Sequence, residues 1–312
     1  MPDPLRTAVV GIGHLGRHHA RLLAAMDGVS LVAVVDTVLA RAEDAAATTG
    51  ARAITDYREL LSDVDAVVIA VPTEIHHAIA LPFLERGVAT LVEKPLSRSV
   101  SDAEAIVEAA RLGNAVLAVG HTERYNPAVG AIGPLVTSPR FIEVHRLSAF
   151  PERSLDIDVV FDLMIHDLDV IISMVGSDVT SIEAVGVPVL TSTYDIANVR
   201  LRFASRCIAN LTASRISRDR VRKIRFFQPD SYLSIDYASQ EVEGWRLVKR
   251  DGERPRIEGG PVPVEREEPL KRELEDFIRA AGNKTRPLVD GEAGLAALRL
   301  ASRIAEQMES AV

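Results

Sequence analysis

The chain has 312 residues, of which 47% are hydrophobic and 26% are charged, and its formal net charge is −8 at pH 7. This length predicts two domains, and the acidic balance argues against a nucleic-acid-binding protein, which normally carries excess basic charge. No leader sequence opens the chain and no apolar run approaches the roughly 18 residues of a membrane span, so we expect a cytoplasmic protein without a membrane partner. The single cysteine, Cys207, excludes an intrachain disulfide and a cysteine-based metal site.

Short apolar runs rich in branched residues alternate with helical patterns over residues 1–120. The predicted strands are 7–10, 31–35, 66–71, 88–92 and 116–119, with a short edge strand at 51–54. The predicted helices are 14–25, 40–48, 74–85 and 101–112. This alternation predicts an α/β domain of Rossmann type with a doubly wound parallel sheet.

After residue 120 the predicted strands follow one another, with one helix at about 159–175 between them. These strands are 140–146, 181–189, 197–203, 207–214, 221–227, 232–237 and 243–249. The series predicts an α+β domain over residues 121–312 with a mostly antiparallel open sheet. Residues 250–266 are rich in proline, glycine and charged residues, and this composition predicts a mobile loop or hairpin. Two helices, about 269–281 and 291–309, close the chain, and the C-terminal helix is a candidate for packing back on the first domain.

A glycine-rich sequence follows the first predicted strand and opens the first predicted helix. It consists of Gly11, Ile12, Gly13, His14, Leu15 and Gly16, and all except Ile12 are expected to bind a cofactor. Such glycines let the backbone approach a pyrophosphate, which free N–H groups at the helix N-terminus would bind. Asp36 closes the second strand, about 20 residues after Gly16, and its carboxylate would bind a ribose diol and repel a 2′-phosphate. We therefore predict NAD as the cofactor; a glycine-rich turn without a ligand is the less favoured interpretation.

Four further motifs follow in a fixed order. They are Val71-Pro72-Thr73-Glu74-Ile75-His76, Glu93-Lys94-Pro95, Gly120-His121-Thr122-Glu123-Arg124-Tyr125-Asn126-Pro127 and Asp162-Leu163-Met164-Ile165-His166. Together they resemble the glucose–fructose oxidoreductase/inositol dehydrogenase/MocA family, and the resemblance covers nearly the whole chain. It implies hydride transfer between a sugar or cyclitol carbon and the nicotinamide. It also implies a homo-oligomer, dimer or tetramer, formed through the exposed face of the second domain's sheet.

The resemblance implies roles for individual residues. Lys94, Asp162 and His166 would be catalytic, and Pro95 would follow a cis peptide bond. The residues expected at the cofactor are Val71, Pro72, Thr73, His76, Glu93, Lys94 and Arg124. Those expected at the substrate are Lys94, Arg124, Tyr125, Asn126, Asp162 and His166.

The residue types support an acid–base role for Asp162 and His166. Four residues apart, they share one face of a helix, and a carboxylate beside an imidazole suits a group that takes a proton from an alcohol. Lys94 adds positive charge where alkoxide character develops. The alternative is an ordinary contact on a helix surface. We expect His19 to lie on a helix surface or near the sheet edge, Asp169 to cap, pair or face solvent, and no metal to be bound.

Residues 120–127 and 158–167 resemble the UDP-N-acetylglucosamine 3-dehydrogenases of this family, which oxidise the C3 hydroxyl to a ketone. The resemblance implies that a pathway aminotransferase then converts this ketone to an amine, whose product resembles the diamino sugar of some bacterial lipid A. Val159, Val160 and Met164 replace family glycines, which argues against a glucose or inositol substrate. The candidates for binding the diphosphate are Arg153, Arg215, Arg218 and Arg220. Another UDP-sugar, a cyclitol such as inositol, and a non-catalytic NAD-binding regulator remain the alternatives.

Overall fold

The computed structural model describes residues 3–150, 157–249 and 254–309. Contacts divide the chain into two compact units. The first contains Met1–Thr122 and Glu268–Leu295, and the second contains Glu123–Glu267 and Ala296–Val312. We expected a division at residue 120, whereas the contacts also group Glu268–Leu295 with the first unit. Within the described residues, no helix combines the length and hydropathy needed to cross a membrane.

The sheet of the first unit has six strands, and every neighbouring pair is parallel. The strands are β1 (Leu5–Val10), β2 (Val29–Val35), β3 (Arg52–Ile54), β4 (Ala66–Ile69), β5 (Ala89–Glu93) and β6 (Leu117–Gly120). Their order is β3-β2-β1-β4-β5-β6, and the central strands are buried on both faces. This is the doubly wound arrangement predicted from the apolar runs, and it is confirmed.

Helices connect these strands. They are α1 (His14–Ala24), α2 (Leu39–Thr49), α3 (His76–Leu84) and α4 (Val100–Leu112). The side chain of Ser99 caps α4 by accepting a hydrogen bond from the Asp102 N–H. A later helix, α7 (Pro269–Asn283), places Leu274 and Phe277 in the same core as the inner residues of β1 and α1. This apolar face explains why a segment distant in sequence belongs to the first unit.

The second unit contains an eight-stranded, mostly antiparallel sheet, as predicted. The strands are β7 (Phe141–Leu147), β8 (Val179–Val187), β9 (Ile196–Phe203), β10 (Ile208–Ser214), β11 (Val221–Phe227), β12 (Ser231–Asp236), β13 (Glu241–Val248) and β14 (Arg256–Val262). Their order is β14-β13-β12-β11-β7-β10-β9-β8, and only the β7–β10 pair is parallel. Buried and less buried residues alternate along β7 and β10, so one face of the sheet covers the core.

Three helices accompany this sheet, and one differs from its prediction. They are α5 (Pro127–Ile132), α6 (Ile165–Val175) and α8 (Gly291–Glu309), and the boundary between the units falls within α8. The helix predicted at 159–175 begins instead with a π turn over Val160–Met164 and becomes α-helical at Ile165. A π turn takes an extra residue, so it changes the phase between side chains on either side of it. It contains Asp162, one of the predicted catalytic residues.

Candidate functional site

The glycine-rich turn lies at the carboxyl end of β1, where its backbone is tightly confined. Gly11 has a φ of +94°, and a Cβ there would lie 2.4 Å from the Ala70 carbonyl oxygen. A Cβ on Gly16 would lie 1.7 Å from the carbonyl oxygen of Gly11. Only glycine fits at these two positions, and their closeness brings the N-terminus of α1 up against the strand end. The cradle therefore fits the pyrophosphate of a dinucleotide.

The outer side of this turn is open to a ligand. Gly13, His14 and Leu15 are exposed. A cavity of about 360 Å³ lies here, lined by Ile12, Gly13, His14, Arg17, Arg41 and Asp44. Sequence analysis missed Arg17 and Arg41, whose positive charges add to that of the helix N-terminus and favour an anionic ligand.

Asp36 follows β2 and is fixed against the same turn. Its Oδ2 accepts a hydrogen bond from the Ile12 N–H at 3.0 Å, and its Oδ1 accepts one from the Val38 N–H at 2.9 Å. Each carboxylate oxygen can accept a further bond, so the group can still bind a ribose diol. Arg41 Nη1 lies 3.9 Å from Oδ1, which places a cation beside this carboxylate. Its position five residues after Asp36, at the start of the next helix, is the signal that could have identified it.

Lys94 follows β5 and is half-buried. The Lys94–Pro95 peptide is cis, as the resemblance implied. His76 is buried and lies between two loops, with Nδ1 3.1 Å from the Pro95 carbonyl oxygen and Nε2 3.0 Å from that of Val71. Burial lowers the pKa of His76, although both carbonyl contacts act in the opposite direction, and a neutral ring can donate a hydrogen bond to only one of these two oxygens. Val71, with Pro72 and Thr73 after it, comes just after β4, so these residues and the Lys94 loop after β5 lie at the same edge of the parallel sheet.

Glu93 is the last residue of β5, and its carboxylate contacts a histidine of α1. His19 Nε2 lies 2.7 Å from Glu93 Oε1, and His19 is fully buried. Of the two placements predicted for His19, the helix surface is therefore wrong, and the contact with the end of β5 agrees with a place near the sheet edge. A single sequence shows the helical position but not the carboxylate 74 residues away that makes burial of the imidazole tolerable.

Asp162 and His166 are half-buried on the π turn and on the first turn of α6. Three residues after His166, Asp169 forms an ion pair with Arg124, whose Nη1 lies 3.2 Å from Asp169 Oδ1. Burial raises the pKa of Asp169 to about 7, and the charge of Arg124 opposes this rise. Of the three placements considered for Asp169, the structure shows pairing. Arg124 is thereby held in the second unit by a partner that titrates near neutral pH.

Arg146 forms the most heavily buried ion pair near α6. Its Nε lies 2.6 Å from Asp167 Oδ2, its Nη1 lies 3.0 Å from Glu123 Oε1, and its guanidinium carbon lies 5.3 Å from the centre of the Tyr237 ring. Burial acts to lower the pKa of Arg146, but the charges of Asp167 and Glu123 outweigh it and the pKa is raised. This network fixes α6 and the segment around Arg124 to β7.

Two predicted substrate residues are built into the fold. Tyr125 and Asn126 are buried. Asn126 Oδ1 caps α5 by accepting from the Ala128 N–H at 3.1 Å, and its Nδ2 donates to the Tyr237 carbonyl oxygen at 3.1 Å. These contacts give Asn126 a structural role in the described chain.

The arginines considered for a diphosphate are placed differently from one another. Arg215 is fully buried; its Nε donates to Asp195 Oδ1 at 2.8 Å and its Nη1 to the Ile157 carbonyl oxygen at 2.7 Å. These contacts do not support phosphate binding by Arg215. Arg218 and Arg220 are exposed between β10 and β11, and Arg153 lies outside the described residues.

Comparison with known proteins identifies the group to which both units correspond. A model of an oxidoreductase family with an NAD-binding Rossmann fold matches residues 5–121, and a GFO/IDH/MocA C-terminal domain matches residues 100–228. The chain is 36% identical over 310 residues to UDP-N-acetylglucosamine 3-dehydrogenase of Acidithiobacillus ferrooxidans, and the match covers 98% of each chain. The chain belongs to the GFO/IDH/MocA family.

Solved structures and a further relative extend the comparison. A solved structure of the Acidithiobacillus ferrooxidans enzyme superposes with a TM-score of 0.92 at 36% identity, and covers 98% of both chains. An inositol 2-dehydrogenase of Arthrobacter is 34% identical over 194 residues, covering 59% of this chain and 58% of its own. Levoglucosan dehydrogenase in complex with NADH and levoglucosan has a TM-score of 0.87 at 18% identity, covers 98% of both chains, and shows a shared fold.

Membership of the GFO/IDH/MocA family confirms several predictions. The resemblance is confirmed, and so are the Rossmann domain and the mostly antiparallel second sheet. The first unit is an NAD-binding Rossmann domain, and the chain is an oxidoreductase. NAD is therefore the cofactor of this protein, consistent with the turn at Gly11 and the carboxylate of Asp36.

Proposed function

We propose that this protein oxidises the C3 hydroxyl of UDP-N-acetylglucosamine to a ketone with NAD as the oxidant. The observation that carries this proposal is the match to UDP-N-acetylglucosamine 3-dehydrogenase over 98% of each chain. That match includes both the Lys94 loop and the helix of His166, so it is not limited to the cofactor domain that many dehydrogenases share.

The residues fall into two groups: those that bind the cofactor and those that take part in proton transfer. The glycine-rich turn, with Asp36 and the side chains lining the nearby cavity, would bind the dinucleotide. NAD, when bound, supplies C4 of its nicotinamide ring as the acceptor of the hydride. Val71, Pro72, Thr73 and His76 would line the cofactor, and Glu93, Lys94 and Arg124 would complete its site.

His166 is the general base of the proposed reaction. A ring nitrogen of His166 takes the proton of the C3 hydroxyl while the hydrogen on C3 leaves with its electron pair, so that the C–O bond becomes a carbonyl. Asp162 orients the imidazole and stabilises its protonated form. The ammonium of Lys94 stabilises the developing alkoxide. The products are the 3-keto nucleotide sugar, the reduced cofactor and a proton.

For the diphosphate of the substrate, the described structure favours Arg218 and Arg220 over Arg215. The first two are exposed, whereas Arg215 has its donors directed at Asp195 and the chain around it. A guanidinium can pair with two phosphate oxygens at once, which suits an exposed arginine better than a buried one that already has a carboxylate.

The proposal extends to the cellular setting. We propose that the protein is cytoplasmic and that an aminotransferase consumes the ketone in a route to the diamino sugar of lipid A. The outward face of the second sheet carries exposed apolar side chains, including Val187, Trp245 and Ile257, and we propose that it joins copies of this chain into a dimer or tetramer. Elution of the purified protein as a monomer in gel filtration would contradict the oligomer.

The reaction is tested by incubating purified protein with NAD and UDP-N-acetylglucosamine in the presence of a carbonyl reagent that traps the ketone. We expect NADH formation and a trapped keto nucleotide sugar. Lys94→Ala and His166→Ala should lose turnover by about 10²- to 10⁴-fold while binding NADH nearly as well as the wild type. Turnover at the wild-type rate in either variant would remove that residue from the mechanism.

A second candidate substrate is a cyclitol. The 34% identity to an inositol 2-dehydrogenase over 194 residues favours it. The same assay with inositol and other UDP-sugars distinguishes the candidates by which one is oxidised fastest. Tight NADH binding without oxidation of any of them would instead indicate a non-catalytic regulator.

A further inference from the structure

Three ionisable side chains meet in the interior of the first unit, beside the loop that carries Lys94. They are His19 of α1, Glu93 at the end of β5 and Glu273 of α7. One polar atom from each lies within 4.8 Å of the other two, and the three residues are 0%, 5% and 1% exposed. His19 and Glu273 have no part in the proposed reaction, so their burial beside Glu93 needs another explanation.

The carboxylate of Glu93 is held from two sides. His19 Nε2 lies 2.7 Å from Oε1, and the Lys94 N–H donates to Oε2 at 3.2 Å. Because an ionised carboxylate can only accept, the first contact requires the proton on Nε2 of His19. A Cβ on Gly120 would lie 2.7 Å from Oε2, so the glycine leaves the space that the carboxylate occupies. The backbone of Lys94 is thereby joined through Glu93 to the cofactor helix α1.

These distances describe a hydrogen-bonded cluster and not a set of metal ligands. Nitrogen and oxygen ligands each lie roughly 2.0–2.2 Å from a bound Zn²⁺, and in a tetrahedral site they are therefore roughly 3.3 Å apart. The 2.7 Å separation between His19 Nε2 and Glu93 Oε1 is the length of a hydrogen bond between an imidazole and a carboxylate. A hydrogen bond, and not a metal ion, therefore joins these two groups.

The two carboxyl groups of the cluster cannot both be charged at low cost. Burial, and then the charge of Glu93, raise the pKa of Glu273 well above its usual value, and only the nearby hydroxyl of Thr122 acts in the opposite direction. Neither carboxyl oxygen of Glu273 has a well-formed hydrogen bond within the described part of the chain. Glu93 has two hydrogen-bond donors beside it, whereas burial beside a second carboxyl group favours the protonated form of Glu273.

We propose that His19 and Glu273 are positioning residues for Lys94, an inference that rests on the proposed catalytic role of that lysine. His19 fixes the Glu93 carboxylate and, through it, the Lys94 backbone. Glu273 packs beside Glu93 without adding a second charge that would drive the carboxylate away from His19. Both act through Glu93, and small displacements of a catalytic group are costly because reaction requires close alignment of the reacting atoms.

The first test compares two substitutions of His19. In His19→Leu, which cannot donate a hydrogen bond, we expect kcat to fall about 100-fold while the KM values for both substrates change less than about threefold. His19→Gln retains an N–H donor and should recover most of that loss. His77→Leu, in the half-buried histidine of α3, is the matched control and should retain kcat. A folded His19→Leu protein with unchanged kcat, or equal losses in the Leu and Gln variants, would overturn the proposal.

The second test concerns the charge of Glu273. Glu273→Gln keeps the shape and neutrality of a protonated glutamic acid, so kcat should stay within about threefold of the wild type. Glu273→Lys, which places a cation beside Glu93 and His19, should lower kcat as strongly as His19→Leu. A Gln variant as impaired as the Lys variant, with an unchanged melting temperature, would show that the ionised form is needed and would contradict this assignment.

A spectroscopic measurement separates this inference from the proposed substrate. In protein labelled with ¹⁵N-histidine, the Nε2 proton of His19 should give a downfield, slowly exchanging signal that is absent from His19→Gln and displaced in Glu93→Gln. Absence of the signal from an active wild-type enzyme would overturn the inference alone. A wild-type protein that shows the signal but does not oxidise UDP-N-acetylglucosamine would support the cluster and contradict only the proposed function.

Discussion

The two units secure their proposed catalytic residues in parallel ways, but with different chemistry. Lys94 follows Glu93, and His166 precedes Asp167. Each of these two carboxylates is buried in a cluster with a second carboxyl group and a nitrogen-containing side chain. In the second unit that side chain is the guanidinium of Arg146, which stays charged at any physiological pH. In the first unit the nitrogen group is the imidazole of His19, and burial raises the pKa of the second carboxyl group, that of Glu273, which favours its protonated form.

This difference shows that buried carboxylates can be stabilised either by a permanent counter-charge or by protonation. A guanidinium compensates both of its carboxylate partners, although burial still raises the pKa of Asp167. The cluster around His19 contains a carboxyl group, Glu273, whose pKa burial raises, so its stability depends on pH. We therefore expect removal of Arg146 to destabilise the cluster of the second unit. The stability of the cluster around His19 should instead depend on pH and change with neutral substitutions.

The largest expected effect comes from removing the cation of the second unit. Arg146→Leu leaves Glu123 and Asp167 buried without their counter-charge and should lower the free energy of unfolding by about 3–5 kcal/mol, measured by urea denaturation. Arg225→Leu is the matched control, because Arg225 pairs with Glu143 on neighbouring strands of the same sheet while about a third exposed. Its loss should be below about 1 kcal/mol. Equal losses in the two variants would contradict a special role for Arg146.

A smaller, pH-dependent effect is expected from Glu273→Gln. The pKa of Glu273 is raised in the folded state, so the folded protein keeps a proton that the unfolded chain releases above about pH 4.5. Stability of the wild type therefore falls as pH rises from that value towards the folded-state pKa, by about 1.4 kcal/mol per pH unit, relative to a variant that cannot ionise.

Urea denaturation of both proteins from pH 4.5 to pH 8 measures this difference. The advantage of Glu273→Gln should be near zero at the acid end and should grow with pH. Glu275→Gln, an exposed position on the same helix that pairs with Lys271, should show no such trend. A difference that stays constant across the range would show that Glu273 ionises as it does in the unfolded chain.

The third effect concerns the two ion pairs of α6. The pair of Asp169 with Arg124 depends on pH, whereas the Arg146 that pairs with Asp167 keeps its charge. Asp169 has a pKa of about 7, so its ion pair with Arg124 is lost as pH falls below neutrality. If Arg124 binds the cofactor or substrate, kcat/KM should fall about tenfold per pH unit below 7. Asp169→Asn should lack this inflection and retain any that belongs to His166. An unchanged pH profile in the variant would remove Asp169 from the site.

Apolar patterning predicted most of the fold because a strand buried on both faces appears in the sequence as an apolar run, and a strand buried on one face appears as an alternation of apolar and polar residues. The strands at 66–71 and 88–92 appear as β4 and β5 with shifts of a few residues at most. The segment around Gly259 was predicted only as a loop or hairpin, since glycine and proline give no such pattern. It pairs with β13, where a Cβ on Gly259 would lie 2.0 Å from the Gly244 carbonyl oxygen.

The site was less predictable where partners are distant in sequence. The motifs indicated Lys94, Asp162 and His166, but not the π turn that sets the phase of Asp162. Arg215 stands in a basic stretch typical of a phosphate site, yet Asp195 neutralises it in the interior. One signal was available for Glu273, which lies three residues after Leu270 and four before Phe277 and therefore falls on the apolar face of its helix.

The central claim is that hydride leaves C3 of a UDP-sugar, and isotope transfer tests it most directly. UDP-N-acetylglucosamine carrying deuterium at C3 is incubated with NAD, purified protein and a carbonyl trap, and the reduced cofactor is analysed by mass spectrometry and NMR. The account predicts deuterium at C4 of the nicotinamide and none in the trapped ketone. Reduced cofactor without deuterium, accompanied by a sugar product that retains the label, would show oxidation at another position and contradict the account.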